Sequence, residues 1–206
     1  MTTPLSIAVL GSGKGSNFQA IAQAIDSGTI DARVACVISD VPDAFILDRA
    51  RQRNVPACHI DAGPSKTRLD GIAEQKAIAF MRLHGADTIV LAGFMRMIKQ
   101  GLLAAFPNRI VNIHPSLLQA FPGLESWKQA LDYGAKFTGC TVHFVDNGMD
   151  TGPIILQRAV PVLDDDTPAT LHARIQEQEH TAYPQALTWL AEGRLQVQGR
   201  RVTVRA

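Results

Sequence analysis

Cysteine is scarce in this 206-residue chain: Cys36, Cys58 and Cys140 stand far apart and are odd in number. With no C-x-x-C pair, the chain offers neither a zinc ribbon nor a disulfide framework. Small buried thiols in a reducing compartment are expected instead. The six histidines are scattered without ligand spacing, so no metal site is expected. An excess of charge of one sign is also missing. A formal net charge of +1 carries no polyanion signal, which argues against nucleic acid as a main partner. No apolar run reaches the length that spans a bilayer. The opening Met1-Thr2-Thr3-Pro4-Leu5-Ser6 lacks a basic leader region and runs directly into a strand pattern. A soluble, cytoplasmic protein that meets no membrane is the expectation. A G-x-S-x-G elbow is absent, against a serine hydrolase. There is no low-complexity stretch, internal repeat or linker.

What is present is ordinary globular material, 46% hydrophobic, in a length that suits one large domain. Leu5 to Leu10 is a compact apolar run closed by Gly11, short enough for a buried parallel strand. Strands are expected again at Arg33–Ser39, Val55–Ile60, Thr88–Ala92 and Arg109–Ile113. Between them lie helices at Phe18–Ile25, Ala44–Arg53, from Gly63-Pro64-Ser65 to Leu83, and at Lys99–Ala105. Strands alternating with helices imply right-handed crossovers and a parallel sheet. Further on the pattern changes: a helix at Trp127–Tyr133, alternating strands at Thr138–Val145 and Pro153–Val162, a helix at Pro168–Leu190, and a hairpin at Arg194–Val204. The expected fold is α/β, an open, mostly parallel Rossmann-like sheet with helices on both faces and an antiparallel C-terminal part. It is read as one domain over residues 1–206, with a nucleotide-binding half at about 5–113 and a catalytic half at about 89–190.

Two stretches carry chemistry. Gly11-Ser12-Gly13-Lys14-Gly15-Ser16-Asn17 sits between strand and helix, where backbone N–H groups can cradle a phosphate. It completes neither a G-x-G-x-x-G fingerprint nor a P-loop, because Ser16 stands at the third glycine and Gly15 follows Lys14. A tight turn built on positive φ is the other reading of this loop. Val111-Asn112-Ile113-His114-Pro115 is the second stretch. Side chains two apart on a strand share a face, so Asn112 and His114 point the same way at a strand's carboxyl end, and Pro115 ends the pairing. Asp40, at the end of the second strand, is placed to accept from a ribose hydroxyl. That leaves a nicotinamide-binding protein as the competing class.

Taken in order, Leu91-Ala92-Gly93-Phe94-Met95-Arg96-Met97-Ile98, then Asn112-Ile113-His114-Pro115-Ser116-Leu117-Leu118, His143, and Asp150-Thr151-Gly152-Pro153 resemble the folate-dependent formyltransferase family from about Ile7 to Leu190. The resemblance implies 10-formyltetrahydrofolate as formyl donor, the amine of glycinamide ribonucleotide as acceptor, a place in purine synthesis, and no metal. It implies Asn112, His114 and Asp150 as the catalytic trio. It assigns Gly15, Ser16 and Asn17 to the ribonucleotide phosphate and Glu179 to the same substrate. It assigns Met95, Arg96, Met97, Ile98 and Asn112 to the folate, with Arg68 or Lys66 at the folate tail and the Phe144–Asp150 loop closing the pocket. An exposed helix position remains the alternative for Glu179, a turn former for Asp150, and a structural or supporting imidazole for His143. Gln119-Ala120 departs from the family's usual residues and leaves the loop to Gly123 open. Two neighbouring activities are disfavoured: a formylfolate hydrolase, which carries a regulatory domain before the catalytic one, and a tRNA formyltransferase, which carries a domain after it. Monomer and homodimer both remain open.

Overall fold

In the computed structural model, which describes residues 4–63, 65 and 67–206, the chain divides into two compact units, one ending at Asn112 and the other Ile113–Ala206. The order of elements in the first unit runs β1 (Leu5–Leu10), α1 (Ser16–Asp26), β2 (Ala32–Ser39), α2 (Phe45–Gln52), β3 (Ala57–His59), α3 (Gly71–Leu83), β4 (Thr88–Leu91) and α4 (Gln100–Ala105), and leads into β5 (Ile110–His114).

 Its strands are all parallel in the order β3-β2-β1-β4-β5, with Ile7 to Leu10 of β1 matched to Thr88 to Leu91 of β4. β1 and β4 are buried along their whole length, as strands covered on both faces must be, and this is why they read as apolar runs without alternation. Chain order reverses between β1 and β4. Loops leaving the carboxyl ends of two such strands diverge and leave a crevice, the usual ligand position in open α/β sheets. The loop Gly11–Gly15 leaves β1 there, and the segment from Ala92 leaves β4.

The second unit holds α5 (Ser126–Tyr133), β6 (Phe137–Phe144), β7 (Ile154–Pro161), α6 (Pro168–Ala191), β8 (Leu195–Gln198) and β9 (Arg201–Val204). β6 and β7 pair antiparallel from Phe137↔Pro161 to His143↔Ile154, and β8 and β9 form an antiparallel hairpin whose Arg201 meets Ile154 in parallel. α6 packs on β6 and β7 through Leu171, Ile175, Ala182, Tyr183, Ala186 and Leu187, spaced to keep one stripe of the helix buried. α5 meets α6 where the Trp127 indole stacks on the His172 ring at 3.7 Å. The architecture is therefore α/β, mostly parallel, with the antiparallel pairs in the C-terminal part.

Element boundaries differ from the sequence reading mainly at one place. The expected helix opening at Gly63-Pro64-Ser65 is not there: α3 begins at Gly71, with Asp70 extended at its N-cap. Pro64 and Lys66 lie outside the described residues, as do Met1, Thr2 and Thr3. Instead of turning into helix, Thr67–Leu69 runs beside Met97: Met97 N donates to Thr67 O at 2.9 Å and Leu69 N to Met97 O at 3.1 Å. A chain whose N–H and C=O groups are already paired with a neighbouring segment has none to offer an i→i−4 ladder. Among the described residues no helix is long and apolar enough to cross a membrane.

Candidate functional site

In the first unit the glycine-rich loop is held from outside. Ile46 N donates to Gly13 O at 3.1 Å and Arg49 Nε to Lys14 O at 2.8 Å, so α2 fixes two of the loop's carbonyls. Gly15 is the N-cap of α1 at φ 73, and a Cβ on it would lie 2.8 Å from Ile46 Cγ1. Both conditions call for glycine, and the close approach of α2 adds a packing reason to the conformational one. Ser16 opens the helix and Asn17 is buried in its first turn. First-turn N–H groups have no intrahelical acceptor and sit at the positive end of the helix dipole, which suits an anion. The turn and the phosphate cradle, alternatives in the sequence, are thus compatible in one loop.

The segment after β4 is sewn down on two sides. Ser12 N donates to Gly93 O at 3.0 Å and Met95 N to Ser12 Oγ at 2.9 Å; on the other side Met97 pairs with Thr67 and Leu69 as above. Arg96 projects neither freely nor into the core. Its Nε donates to Asp40 Oδ2 at 2.6 Å and its Nη1 to Ser65 O at 2.5 Å. Asp40, whose side chain is 3% exposed, also accepts from Ser12 Oγ at 2.5 Å. Both oxygens of the carboxylate read as a ribose acceptor are therefore engaged by the protein. Met95 is exposed and Met97 half-buried, whereas the Ile98 side chain is buried in the core and offers only its backbone. Arg68 is exposed and lies 3.7 Å from Asp70 Oδ2.

In the second unit, Asp150 stands between two imidazoles. His114 Nδ1 is 3.4 Å from Asp150 Oδ2, and His143 Nε2 is 3.9 Å from Oδ1. All three side chains are largely buried, and Gly123 N donates to Asp150 Oδ2 at 3.0 Å. The remaining ring nitrogens define the protons. A carbonyl can only accept, so His114 Nε2, 3.0 Å from Phe121 O, carries a hydrogen, and so does His143 Nδ1, 2.9 Å from Phe144 O. His114 then donates to the carboxylate as well only when its ring carries both protons. His143 differs: burial outweighs the backbone hydrogen bond and Asp150, and pushes its pKa below the usual imidazole range. It is held neutral, with the Nε2 lone pair turned towards Asp150. Asp150 takes φ 56, and a side chain on the next-but-one residue, Gly152, would collide with the Phe144 carbonyl. That explains the glycine in Asp150-Thr151-Gly152.

The loop after His114 is fastened to the strands beneath it. Thr141 Oγ1 donates to Ser116 O at 2.7 Å and accepts from Leu118 N at 3.0 Å, while Gln157 Nε2 donates to Leu118 O at 2.8 Å. Gln119 and Ala120, where the chain departs from the family pattern, are exposed. Asn112 and His114 lie two apart on β5, which keeps them on one face of that strand. Glu179 is 5% exposed on the inner stripe of α6, so the exposed-helix reading of it is corrected; its charge lies near Cys140 and helps raise that thiol.

Residues 5–187 match the family described as formyl transferase. The chain belongs to the formyl transferase family. It is 43% identical to the phosphoribosylglycinamide formyltransferase of Bacillus subtilis over 183 residues, 89% of this chain and 93% of that protein. The crystal structure of glycinamide ribonucleotide transformylase 1 from Symbiobacterium toebii matches with a TM-score of 0.94 and 50% identity, covering 100% of this chain and 96% of that one. A formyltetrahydrofolate deformylase from Pseudomonas syringae shares the fold at a TM-score of 0.90 and 25% identity, over 98% of this chain and 66% of that one. The formyl transferase family therefore supplies the reaction class, transfer of a formyl group.

Sequence reasoning missed three parts of the site. Phe121 O and Gly123 N are backbone atoms and carry no residue signature. The Asp40–Arg96 pair did leave one: an arginine just past a buried strand needs a partner, and Asp40 ends β2, on the far side of β1 from β4.

Proposed function

We propose that this formyl transferase moves the formyl group of 10-formyltetrahydrofolate to the primary amine of glycinamide ribonucleotide, the step that serves purine synthesis. The observation that carries this reading is near-full-length identity to the Bacillus subtilis enzyme of that name, at a level well above that to the deformylase. The amine attacks the formyl carbon, an oxyanion forms, and collapse breaks the bond to the folate nitrogen. One proton leaves the amine and one reaches the folate nitrogen, so no protein nucleophile is needed.

Asn112 and His114 are the oxyanion donors in this mechanism. His114 Nε2–H is directed at Phe121 O, and the formyl oxygen replaces that carbonyl as its acceptor as charge develops. Asp150, 3.4 Å from Nδ1, orients the ring. Its second oxygen faces the neutral His143 ring, and a water donating into that gap gives the amine proton its first acceptor. Gly15, Ser16 and Asn17 hold the ribonucleotide phosphate, and Glu179 contacts the same substrate. Met95, Arg96, Met97 and Ile98 hold the folate, chiefly through backbone groups at Ile98, with Arg68 at its tail. The whole chain acts as one catalytic domain in this reading.

The test is release of tetrahydrofolate from 10-formyltetrahydrofolate with and without glycinamide ribonucleotide. Release is expected only with the ribonucleotide, together with its formylated product. Equal release in water alone would favour the deformylase reading, which the shared fold keeps in view.

A further inference from the structure

Asp40 is a buried carboxylate that the proposed chemistry does not use, yet two other segments of the first unit meet at it and a third is reached through Arg96. Ser12, from the glycine-rich loop, donates to Oδ1 at 2.5 Å, and Arg96, from the segment after β4, donates to Oδ2 at 2.6 Å. Ser12 passes the constraint on: its hydroxyl hydrogen is given to Asp40, which leaves a lone pair directed at Met95 N, 2.9 Å away. Arg96 passes it to Ser65 O through Nη1. Asp40 itself stands at the end of β2, whose Ser39 oxygens are also committed, the hydroxyl to Val41 N at 3.0 Å and the carbonyl to Ile60 N at 2.9 Å. One charge thus sets both the Met95 backbone and the Arg96 side chain.

We propose that Asp40 is a positioning residue for the formyl donor: through Ser12 and Arg96 it presents Met95–Ile98 in the one conformation that receives the pteridine-bearing end of a reduced folate. This rests on the assignment of Met95–Ile98 to the donor. Charge-assisted hydrogen bonds in a site shielded from water are short and directional, which suits them to fixing a binding segment. Beyond Ser12, the glycine-rich loop has a second anchor. α2 grips that loop independently through Ile46 N to Gly13 O and Arg49 Nε to Lys14 O. Loss of the Asp40 charge should therefore separate the two substrates rather than weaken both.

Asp40→Asn keeps the shape and removes the charge, and Ser12→Ala removes the hydroxyl that joins Asp40 to Met95 while leaving the Arg96 contact in place. Each is compared with the wild-type protein by steady-state kinetics in both substrates and by calorimetric titration with tetrahydrofolate, which needs no turnover. In Asp40→Asn the KM for 10-formyltetrahydrofolate and the Kd for tetrahydrofolate should rise about tenfold or more, while the KM for glycinamide ribonucleotide stays within about twofold. At saturating concentrations of both, kcat should fall less than about threefold. Ser12→Ala should raise the folate Kd several-fold, and the double variant should bind folate about as weakly as Asp40→Asn, because the two act along one path. An unchanged folate Kd, an equal rise for both substrates, or a loss confined to kcat overturns the proposal. If Asp40→Asn does not fold, an unchanged Kd in Ser12→Ala overturns it. A wild-type protein that binds tetrahydrofolate without formylating the ribonucleotide removes the acceptor assignment, and the folate Kd values still decide on Asp40. A wild-type protein that binds no tetrahydrofolate overturns it outright.

Discussion

His114 has both ring nitrogens committed inside the protein, one to Phe121 O at 3.0 Å and one to Asp150 Oδ2 at 3.4 Å. In the proposed mechanism Asp150 orients the His114 ring, so the two are expected to act as one unit. His114→Ala and Asn112→Ala should each lower kcat by about 10²–10³ with substrate affinity much less affected, the usual size for loss of one oxyanion donor. Asp150→Asn keeps the shape, and its cost should largely vanish in a His114→Ala background, since members of a catalytic unit are not additive. Kinetics on the two single variants and the double variant check this; full additivity would mean that Asp150 acts apart from His114. The proximity of these side chains was legible only in part. Strand alternation placed Asn112 and His114 on one face, whereas Asp150 entered through resemblance, because a carboxylate before Thr-Gly-Pro looks locally like any turn. The Phe121 carbonyl could not be foreseen, since a main-chain acceptor is independent of which side chain it belongs to.

At the scale of elements, α6 shows how a start signal becomes stability. Thr167 caps the helix, its side chain accepting from Thr170 N at 3.2 Å, with Pro168 at the first helical position. Just upstream, Asp166 receives Arg174 in a two-pronged contact, Nη1 to Oδ2 at 2.7 Å and Nη2 to Oδ1 at 2.8 Å, and also accepts from Leu163 N at 2.8 Å. Arg174 above all holds the Asp166 carboxyl well below the usual carboxylate range. A depressed folded-state pKa means stability that is present above the unfolded value of 3.8 and lost as pH falls through the folded one. Asp166→Asn should accordingly lower the thermal midpoint by a few degrees at neutral pH, with the gap to wild type closing in strong acid. Calorimetry at neutral and acidic pH reads both. Helix α6 was legible to within a residue because its cap, its proline and its apolar stripe agree. The opening of α3 was not, because Gly63-Pro64-Ser65 imitates a helix start while pairing of Thr67–Leu69 with Met97, a contact distant in sequence, keeps that backbone extended.

For the molecule as a whole, burial of titratable groups sets limits on both sides of neutrality. His143 and His180 are pushed below the ordinary imidazole value of 6.5, by burial first in each case. Between 6.5 and their folded values the unfolded chain binds protons that the folded chain refuses, so stability falls as pH drops through that window. The thiols act in the opposite direction. Burial pushes Cys36 and Cys140 from 9.0 up to about 12 and Cys58 to about 11. Their contribution is fully present below 9.0, where both states hold the proton, and is lost as pH rises towards those folded values, because the unfolded chain ionises first. Unfolding midpoints followed from about pH 5 to about pH 11 should therefore trace a plateau around neutrality with a falling limb on each side. His143→Gln removes one proton-refusing site and should make the acid limb shallower without moving the alkaline one. Cys140→Ala should do the reverse, superimposed on a uniform loss from the smaller side chain at a fully buried position. Midpoints recorded for the three proteins on the same buffers decide the matter: if His143→Gln falls as steeply in acid as the wild type, the imidazole facing Asp150 is not held neutral, and the neutral partner assigned to the proton path is lost with it.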